Sequence, residues 1–186
     1  MIDLMLEFFI YSVLGWIIEG AWQYIVTGKF RDKRMLLHLP MCPVYGMGAA
    51  ALTRLLSAFA DNFPVLFTFG ALLASAVELL YFLINEALYS VMVWDYSNQP
   101  ANYAGGVCAF YTVMWGILSV VLVRYVGPAS KLLCSHMSDG FKLICVVFLG
   151  ITTAADARLT HRVLRKFKGG EMENLPPCFW YMRKKS

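Results

Sequence analysis

Long apolar stretches dominate the chain, and polar positions are grouped in the segments between them. Five stretches stand out, at residues 4–26, 40–60, 64–88, 105–126 and 140–157. A helix that crosses a bilayer needs about 20 apolar residues, because each residue rises about 1.5 Å along the helix axis. The pattern predicts an all-α integral membrane protein, a bundle of about five transmembrane helices with an irregular or re-entrant loop after the third. Residues 1–157 are predicted to form this bundle, and residues 158–186 a basic cytoplasmic tail.

Small and polar residues recur on one face of several predicted helices. At 100° per residue, the first helix places Ser12, Gly15, Glu19 and Gln23 within about 80°. The second groups Gly46, Ala49, Ala50, Thr53 and Ser57, and the third groups Ala71, Ser75, Glu78, Asn85, Glu86 and Tyr89. Small residues let membrane helices approach closely, and polar residues hydrogen-bond across the contact. We expect these faces to point into the bundle, either as packing interfaces alone or as the lining of a polar cavity.

Glu19 and Glu78 lie deep inside the first and third stretches, at nearly matching depths. A carboxylate in the middle of a bilayer costs about 2.5–3.5 kcal/mol on insertion scales, so it usually faces the bundle interior and has a function. We therefore predict that Glu19 and Glu78 line a polar cavity open at the cytoplasmic end. The alternative is that the two acids only hold the bundle together. Glu7, near the other end of the first stretch, is expected to tolerate replacement by Gln.

The distribution of charged residues adds a predicted orientation of the chain in the membrane. Hydrophobic residues make up 59% of the chain and charged residues 15%, against about 45–50% and 25% in soluble domains. Most of the net charge of +4 comes from basic clusters at 29–34 and 158–168, which predict topology and not nucleic-acid binding. Because cytoplasmic loops are rich in Lys and Arg, the chain is predicted to lie in the cell membrane with its N-terminus outside and its C-terminus cytoplasmic.

Two irregular segments meet the helices at the predicted cytoplasmic end. Pro40 and Pro43 prevent a regular helix start in residues 38–46, and residues 94–102 are too polar to span. Irregular backbone is tolerated at membrane depth only where protein or water covers it. The candidate cavity residues at this end are Glu19, Tyr45, Glu78, Glu86, Asp95, Tyr96 and Asn102, of which Tyr45, Asp95, Tyr96 and Asn102 are predicted to form a gate or rim. The alternative is a set of interfacial salt bridges, for example between Glu86 or Asp95 and Arg31 or Arg34.

Several sequence blocks resemble one bacterial family. They are FFIYSVLGWIIE (8–19), GKF (28–30), PMCPVYG (40–46), Glu78 and Glu86, VWDYSNQPAN (93–102) and MWGIL (114–118). They are similar, in the same order, to those of the CmpB-like membrane proteins, the "Putative ABC-transporter type IV" family. The resemblance implies a multi-pass inner-membrane transporter permease. The resemblance also implies that Trp94 is a candidate cavity residue. The positions of this chain that match the family's motifs are Glu19, Pro40, Pro43, Tyr45, Gly46, Glu78, Glu86, Trp94, Asp95, Tyr96, Ser97 and Asn102. Met35 and Leu39 stand where glycines are usual in the family, and Gly106 where an arginine is usual.

Absent motifs narrow the function further. Without GxxxxGK[ST] the chain is not expected to hydrolyse ATP, so an ATPase would be a separate subunit. There is no HExxH or GxSxG, and the five cysteines lack close pairing, so we expect no cofactor, no metal site and free thiols. Five spans are few for a complete transport path, which favours a homo- or hetero-oligomer in the lipid bilayer.

Together these features favour a permease-like membrane component of a small-molecule transport system that is not itself an enzyme. Two alternatives stay open. One is a membrane assembly or regulatory partner with no transport activity of its own. The other is an intramembrane enzyme that acts on lipid head groups with its paired carboxylates.

Overall fold

The computed structural model describes residues 1–184 and consists mainly of helices. Its helices are α1 (Ile2–Thr27), α2 (Pro43–Leu55), α3 (Phe63–Tyr89), α4 (Ala109–Val121), α5 (Gly127–Ser135) and α6 (Asp139–Lys168). Two short 3-10 helices span Ser57–Phe59 and Pro177–Phe179, and two-residue strands β1 to β4 lie at Val91–Met92, Asn102–Tyr103, Val107–Cys108 and Arg183–Lys184. The predicted all-α membrane fold is confirmed. Lys185 and Ser186, the end of the predicted tail, lie outside the described residues.

Four helical segments within residues 1–184 are long and apolar enough to cross a membrane. They are Ile2–Thr27, Phe63–Tyr89, Ala109–Ser135 and Asp139–Lys168. The third of these joins α4 to α5 through a π-helical turn at Leu122–Val126. Pro128 follows this turn and has no N–H to donate, which accounts for the local change in the hydrogen-bond ladder. The fourth predicted span therefore continues beyond residue 126 to Ser135.

The second predicted span, residues 40–60, is not one continuous helix. Its helix α2 has 13 residues and a length of about 20 Å, well short of the hydrocarbon thickness of about 30 Å. The reason is local, because Pro40 and Pro43 delay the helix start and Cys42 takes the N-cap position. The residues before α2 form an irregular segment that the backbone of α1 supports, since the Cys42 N–H donates to the Ser12 carbonyl at 2.9 Å.

The helices alternate in direction, and the three longest non-helical segments lie together at one end of the bundle. We call residues 28–42, 90–108 and 169–184 together the loop end. The N-terminus lies at the opposite end, where Asp3 pairs with Lys142 at 2.9 Å. At the loop end, Tyr89 of α3 hydrogen-bonds His161 of α6 at 2.8 Å. Residue 3 and the 169–184 segment therefore lie at opposite ends of the bundle.

The loop end has its own hydrophobic core. Strand β1 pairs antiparallel with β4, which ties the C-terminal segment to the chain that follows α3. Phe179 is fully buried there with residues of α3, α6 and the β1 segment. Residues 158–168, predicted as the start of a tail, continue α6 without a break. Although its aromatic and basic composition is typical of an anchor at a membrane surface, the C-terminal segment thus packs against protein.

Replacing Gly46 by Ala should destabilise the bundle. A Cβ at Gly46 would lie 2.1 Å from the Ser12 hydroxyl oxygen and 2.6 Å from the Phe8 carbonyl oxygen, so α1 and α2 would have to separate. Overpacking of this kind costs about 1–3 kcal/mol, and we expect a lower thermal unfolding temperature in detergent. Gly140→Ala is the matched control, because nothing lies within 4 Å of its added Cβ. Equal unfolding temperatures for the two variants would contradict this packing of α1 on α2.

Candidate functional site

A cavity of about 230 Å³ lies among α1, α2, α3 and α4. At the loop end its wall contains polar and aromatic side chains, namely Glu19, Tyr45, Glu78, Trp94, Tyr96 and Trp115. Toward the opposite end the lining becomes almost entirely aliphatic, with small residues on α2 and α3 forming its floor. The cavity is therefore amphipathic along its length.

Glu19 is held by a cation and a phenol. Lys33 Nζ donates to Glu19 Oε2 at 2.8 Å, and the Tyr45 hydroxyl donates to Glu19 Oε1 at 2.7 Å. Lys33 comes from the irregular segment after α1, and its backbone carbonyl accepts from the Cys42 thiol at 3.2 Å. Both partners of the ion pair are largely buried, with 13% and 14% of their side chains exposed. Glu19 thus links α1, the 28–42 segment and α2.

Asp32, next to Lys33 in the chain, anchors the same segment to α1. Trp16 Nε1 donates to Asp32 Oδ1 at 2.8 Å, and the Arg34 guanidinium donates to Oδ2. Burial raises the pKa of Asp32, but the hydrogen bonds from Arg34 and Trp16 outweigh it and leave that pKa below its ordinary value. Asp32 therefore stays ionised, and Arg34 is occupied by Asp32 and by the His38 carbonyl.

Glu78 is bound differently, by neutral donors. Trp115 Nε1 donates to Glu78 Oε2 at 2.8 Å, and the Tyr96 hydroxyl donates to Oε1 at 3.1 Å. Within residues 1–184, no Lys, Arg or His nitrogen lies within 4.0 Å of its carboxylate. Only 5% of Glu78 is exposed. The site therefore contains one carboxylate with its own cation and one without.

Aromatic rings hold these donors in place. The Tyr96 ring stacks on Tyr111 with centroids 4.5 Å apart, and the Tyr45 ring meets Trp115 edge-on at 5.5 Å. Trp94 also stacks on Tyr96, with centroids 6.3 Å apart, and donates from Nε1 to the Gly106 carbonyl at 2.7 Å. Burial and the nearby Glu78 raise the pKa of Tyr96 above its ordinary value, so its hydroxyl remains a donor.

Three candidate residues lie away from this cavity. Asp95 Oδ1 accepts from the Ser97 N–H at 2.9 Å, and hydrogen bonding to Ser97 lowers the pKa of Asp95. Asn102 Nδ2 donates to the carbonyls of Ser97 and Gln99. These contacts shape the turn between α3 and α4. Glu86 is half-buried near the end of α3 and is not among the side chains that line the cavity.

Two residues of the site are missed by reasoning from the sequence. Lys33 enters that reasoning only as part of a topology signal, and Trp115 only as part of a sequence block. The available signal for Trp115 is chemical, because an indole N–H inside a span needs an acceptor. For Lys33 there is no comparable signal, since the fold of the 28–42 segment decides its position.

Glu7 is expected from the sequence to tolerate Gln, and its surroundings argue against that expectation. It is only 1% exposed, and Arg54 Nη2 of α2 donates to its carboxylate at 3.0 Å. Removing the charge would leave Arg54, an exposed residue of α2, without its carboxylate partner. Glu7 belongs to a separate polar cluster near the opposite end, where Tyr11 also hydrogen-bonds Ser130 at 2.6 Å.

The described part of the chain contains no group of three or more His, Cys, Asp or Glu side chains that could hold a metal ion. All five cysteines are free thiols. The cavity and its immediate surroundings offer two carboxylates, one ammonium group, phenol and indole donors, and aromatic faces.

Comparison with known proteins adds one finding. A family model matches residues 6–161, which include every residue that lines the cavity. Neither a curated protein nor a solved structure matches the chain. With most of its length matched, the chain belongs to the family described as "Putative ABC-transporter type IV".

Proposed function

We propose that this chain is a permease-like membrane component of a small-molecule transport system, and that Glu19 and Glu78 line its binding cavity. The proposal rests mainly on the different hydrogen-bond partners of the two carboxylates. Both lie within helices of membrane-spanning length and line one cavity, yet among residues 1–184 only Glu19 has a cationic partner. A buried carboxylate held by two neutral donors is suited to binding a cation or exchanging a proton.

An assembly or regulatory role is the second candidate, and Glu19 supports it. Its bonds to Lys33 and Tyr45 join three parts of the fold, so its charge has a structural task whatever the protein does. Glu78 has no such task, because hydrogen bonds from Trp115 and Tyr96 do not require a full charge. Glu78 is therefore the residue that distinguishes the two roles.

The proposed system needs further subunits. The chain has no nucleotide-binding loop, so ATP hydrolysis would come from a separate subunit, and an oligomer would complete the path. In the proposed orientation the loop end faces the cytoplasm, which places the basic residues of 29–34 and the C-terminal segment inside. The cavity, with both carboxylates at that end, would then open toward the cytoplasm.

Replacing Glu78 by Gln should strongly reduce transport and preserve the fold. The Gln carbonyl can accept from Trp115 Nε1, and its amide can donate to the Tyr96 hydroxyl, so only the charge is lost. We expect complementation of a deletion phenotype, or uptake into vesicles containing the partner subunits, to fall about tenfold or more, the equivalent of about 1.4 kcal/mol. The thermal unfolding temperature should stay unchanged or rise, because an ion that is costly to bury has been removed.

Asp61→Asn is the matched control for Glu78→Gln. Asp61 is an exposed carboxylate in the connection between α2 and α3, away from the cavity. The control should retain full activity. Full activity in Glu78→Gln as well would contradict the transport mechanism and favour the assembly role.

The orientation has its own test. Reporter fusions at residue 32 and at the C-terminus should both report the cytoplasm, because the fold places the two segments together and both carry basic residues. A fusion at residue 62, in the connection at the opposite end, should report the outside. If residues 32 and 62 report the same side, the second pass of the chain does not exist. If all three assignments are reversed, the orientation is wrong and the five-pass arrangement stands.

A further inference from the structure

The apolar part of the cavity opens sideways, between helices. Leu14 and Ile18 of α1 line one edge and Val121 of α4 lines the other. These three side chains are also 36%, 43% and 42% exposed, from which we infer an opening of the cavity to the outer surface of the bundle there. All three belong to segments long and apolar enough to span a membrane, away from the segment ends. In a bilayer this opening would face hydrocarbon and not water.

The polar end of the cavity favours a positive charge. Glu78 and Glu19 contribute two carboxylates and Lys33 one ammonium group, so ionised side chains leave one negative charge uncompensated. The walls around them contain Tyr45, Trp94, Tyr96 and Trp115. Aromatic faces attract cations, and substituted ammonium groups are the ligands that such surroundings recognise best.

Resting on the function proposed above, we propose that the substrate is an amphiphilic organic cation, a substituted ammonium head group on a hydrocarbon chain. The head group lies beside Glu78 among the aromatic rings. The chain extends along the aliphatic part of the cavity toward Tyr11 and Val126, which also line it. From Glu19 to Tyr11 this path follows α1 for about 12 Å, two turns of helix. The molecule enters from the bilayer between α1 and α4.

The same features disfavour other ligand classes. A small hydrophilic cation would satisfy the carboxylates but leave the aliphatic part of the wall against water, at a cost proportional to that area. A fatty acid would fill the apolar part but place its carboxylate beside Glu78, which has no cation within 4.0 Å in the described residues. Only a ligand with both a cationic head and an apolar chain matches the whole cavity.

Binding can be measured on the full chain in uncharged maltoside micelles, with dodecyltrimethylammonium as the probe. Trp94 and Trp115 lie in the cavity wall, so their fluorescence should change on saturation, and the unfolding temperature should rise. Tetramethylammonium and laurate are the comparison ligands, one without the chain and one with the opposite charge. We expect both to bind far more weakly than dodecyltrimethylammonium.

Variants separate specific binding from partition into the micelle. Glu78→Gln should weaken binding of the probe on the order of tenfold, whereas Asp61→Asn should not change it. Gly48→Leu should abolish it, because a Cβ there fits, 3.8 Å from Val77 Cγ1, while the longer side chain enters the cavity. Gly150→Leu is the matched control, since nothing lies within 4 Å of its Cβ. Ala74→Leu, also on the cavity floor, replaces Gly48→Leu if that variant does not fold.

Three results would overturn the ligand class. They are equal affinity of wild type and Glu78→Gln for the probe, equal or tighter binding of laurate, and normal binding by a folded floor variant. These results leave the transport proposal standing if Glu78→Gln still loses uptake. Conversely, specific binding of the probe with uptake unaffected in Glu78→Gln would overturn transport and keep the site as a regulatory one for amphiphilic cations.

Discussion

A polar backbone group that is buried away from water must be satisfied inside the protein, and the segment 35–42 depends most on this constraint. Its backbone is irregular, so its N–H groups have no helical partners. Asp156 of α6 supplies the acceptors, taking hydrogen bonds from the His38 N–H at 2.9 Å, the Leu39 N–H at 2.7 Å and His38 Nδ1 at 3.0 Å. Thr160 takes the Leu37 N–H at 3.0 Å. Because this segment is fixed, Lys33 and Tyr45 on either side of it can reach Glu19.

Two ways of holding a carboxylate coexist in this site. Glu19 is neutralised by Lys33, so its pair has little attraction left for another ion. Glu78 receives hydrogen bonds from an indole and a phenol, which stabilise its charge without cancelling it. The two carboxylates therefore have different roles. Glu19 keeps the irregular segment in place, and Glu78 presents a carboxylate that no cation in the described part of the chain neutralises, inside a packed and largely aromatic wall.

The sequence predicted the class of fold because apolar length and simple periodicity indicate the spans. Glu19 and Glu78 both line the cavity described above, and their function there stays a prediction. The partners of Asp156 could not be predicted in this way. A basic segment follows Asp156 in the sequence, but its partners are backbone amides about 118 residues away. The burial of Phe179 and the ion pair of Glu7 with Arg54 could not be predicted from the sequence for the same reason. Each depends on tertiary contacts that no local pattern encodes.

The cavity itself follows from how small residues are distributed over two tight helix pairs. Gly46 brings α2 against α1, and Gly70 brings α3 against α4 so closely that a Cβ added at Gly70 would lie 2.3 Å from that of Ser119. Between the pairs, Gly48, Ala49 and Ala74 face the cavity, where their missing side-chain volume is not filled by a neighbour. Identical residue types thus serve close packing at some positions and open space at others. The sequence shows one face of small and polar residues on each helix. In the structure, some residues of such a face hold the bundle together, and others leave room for a ligand.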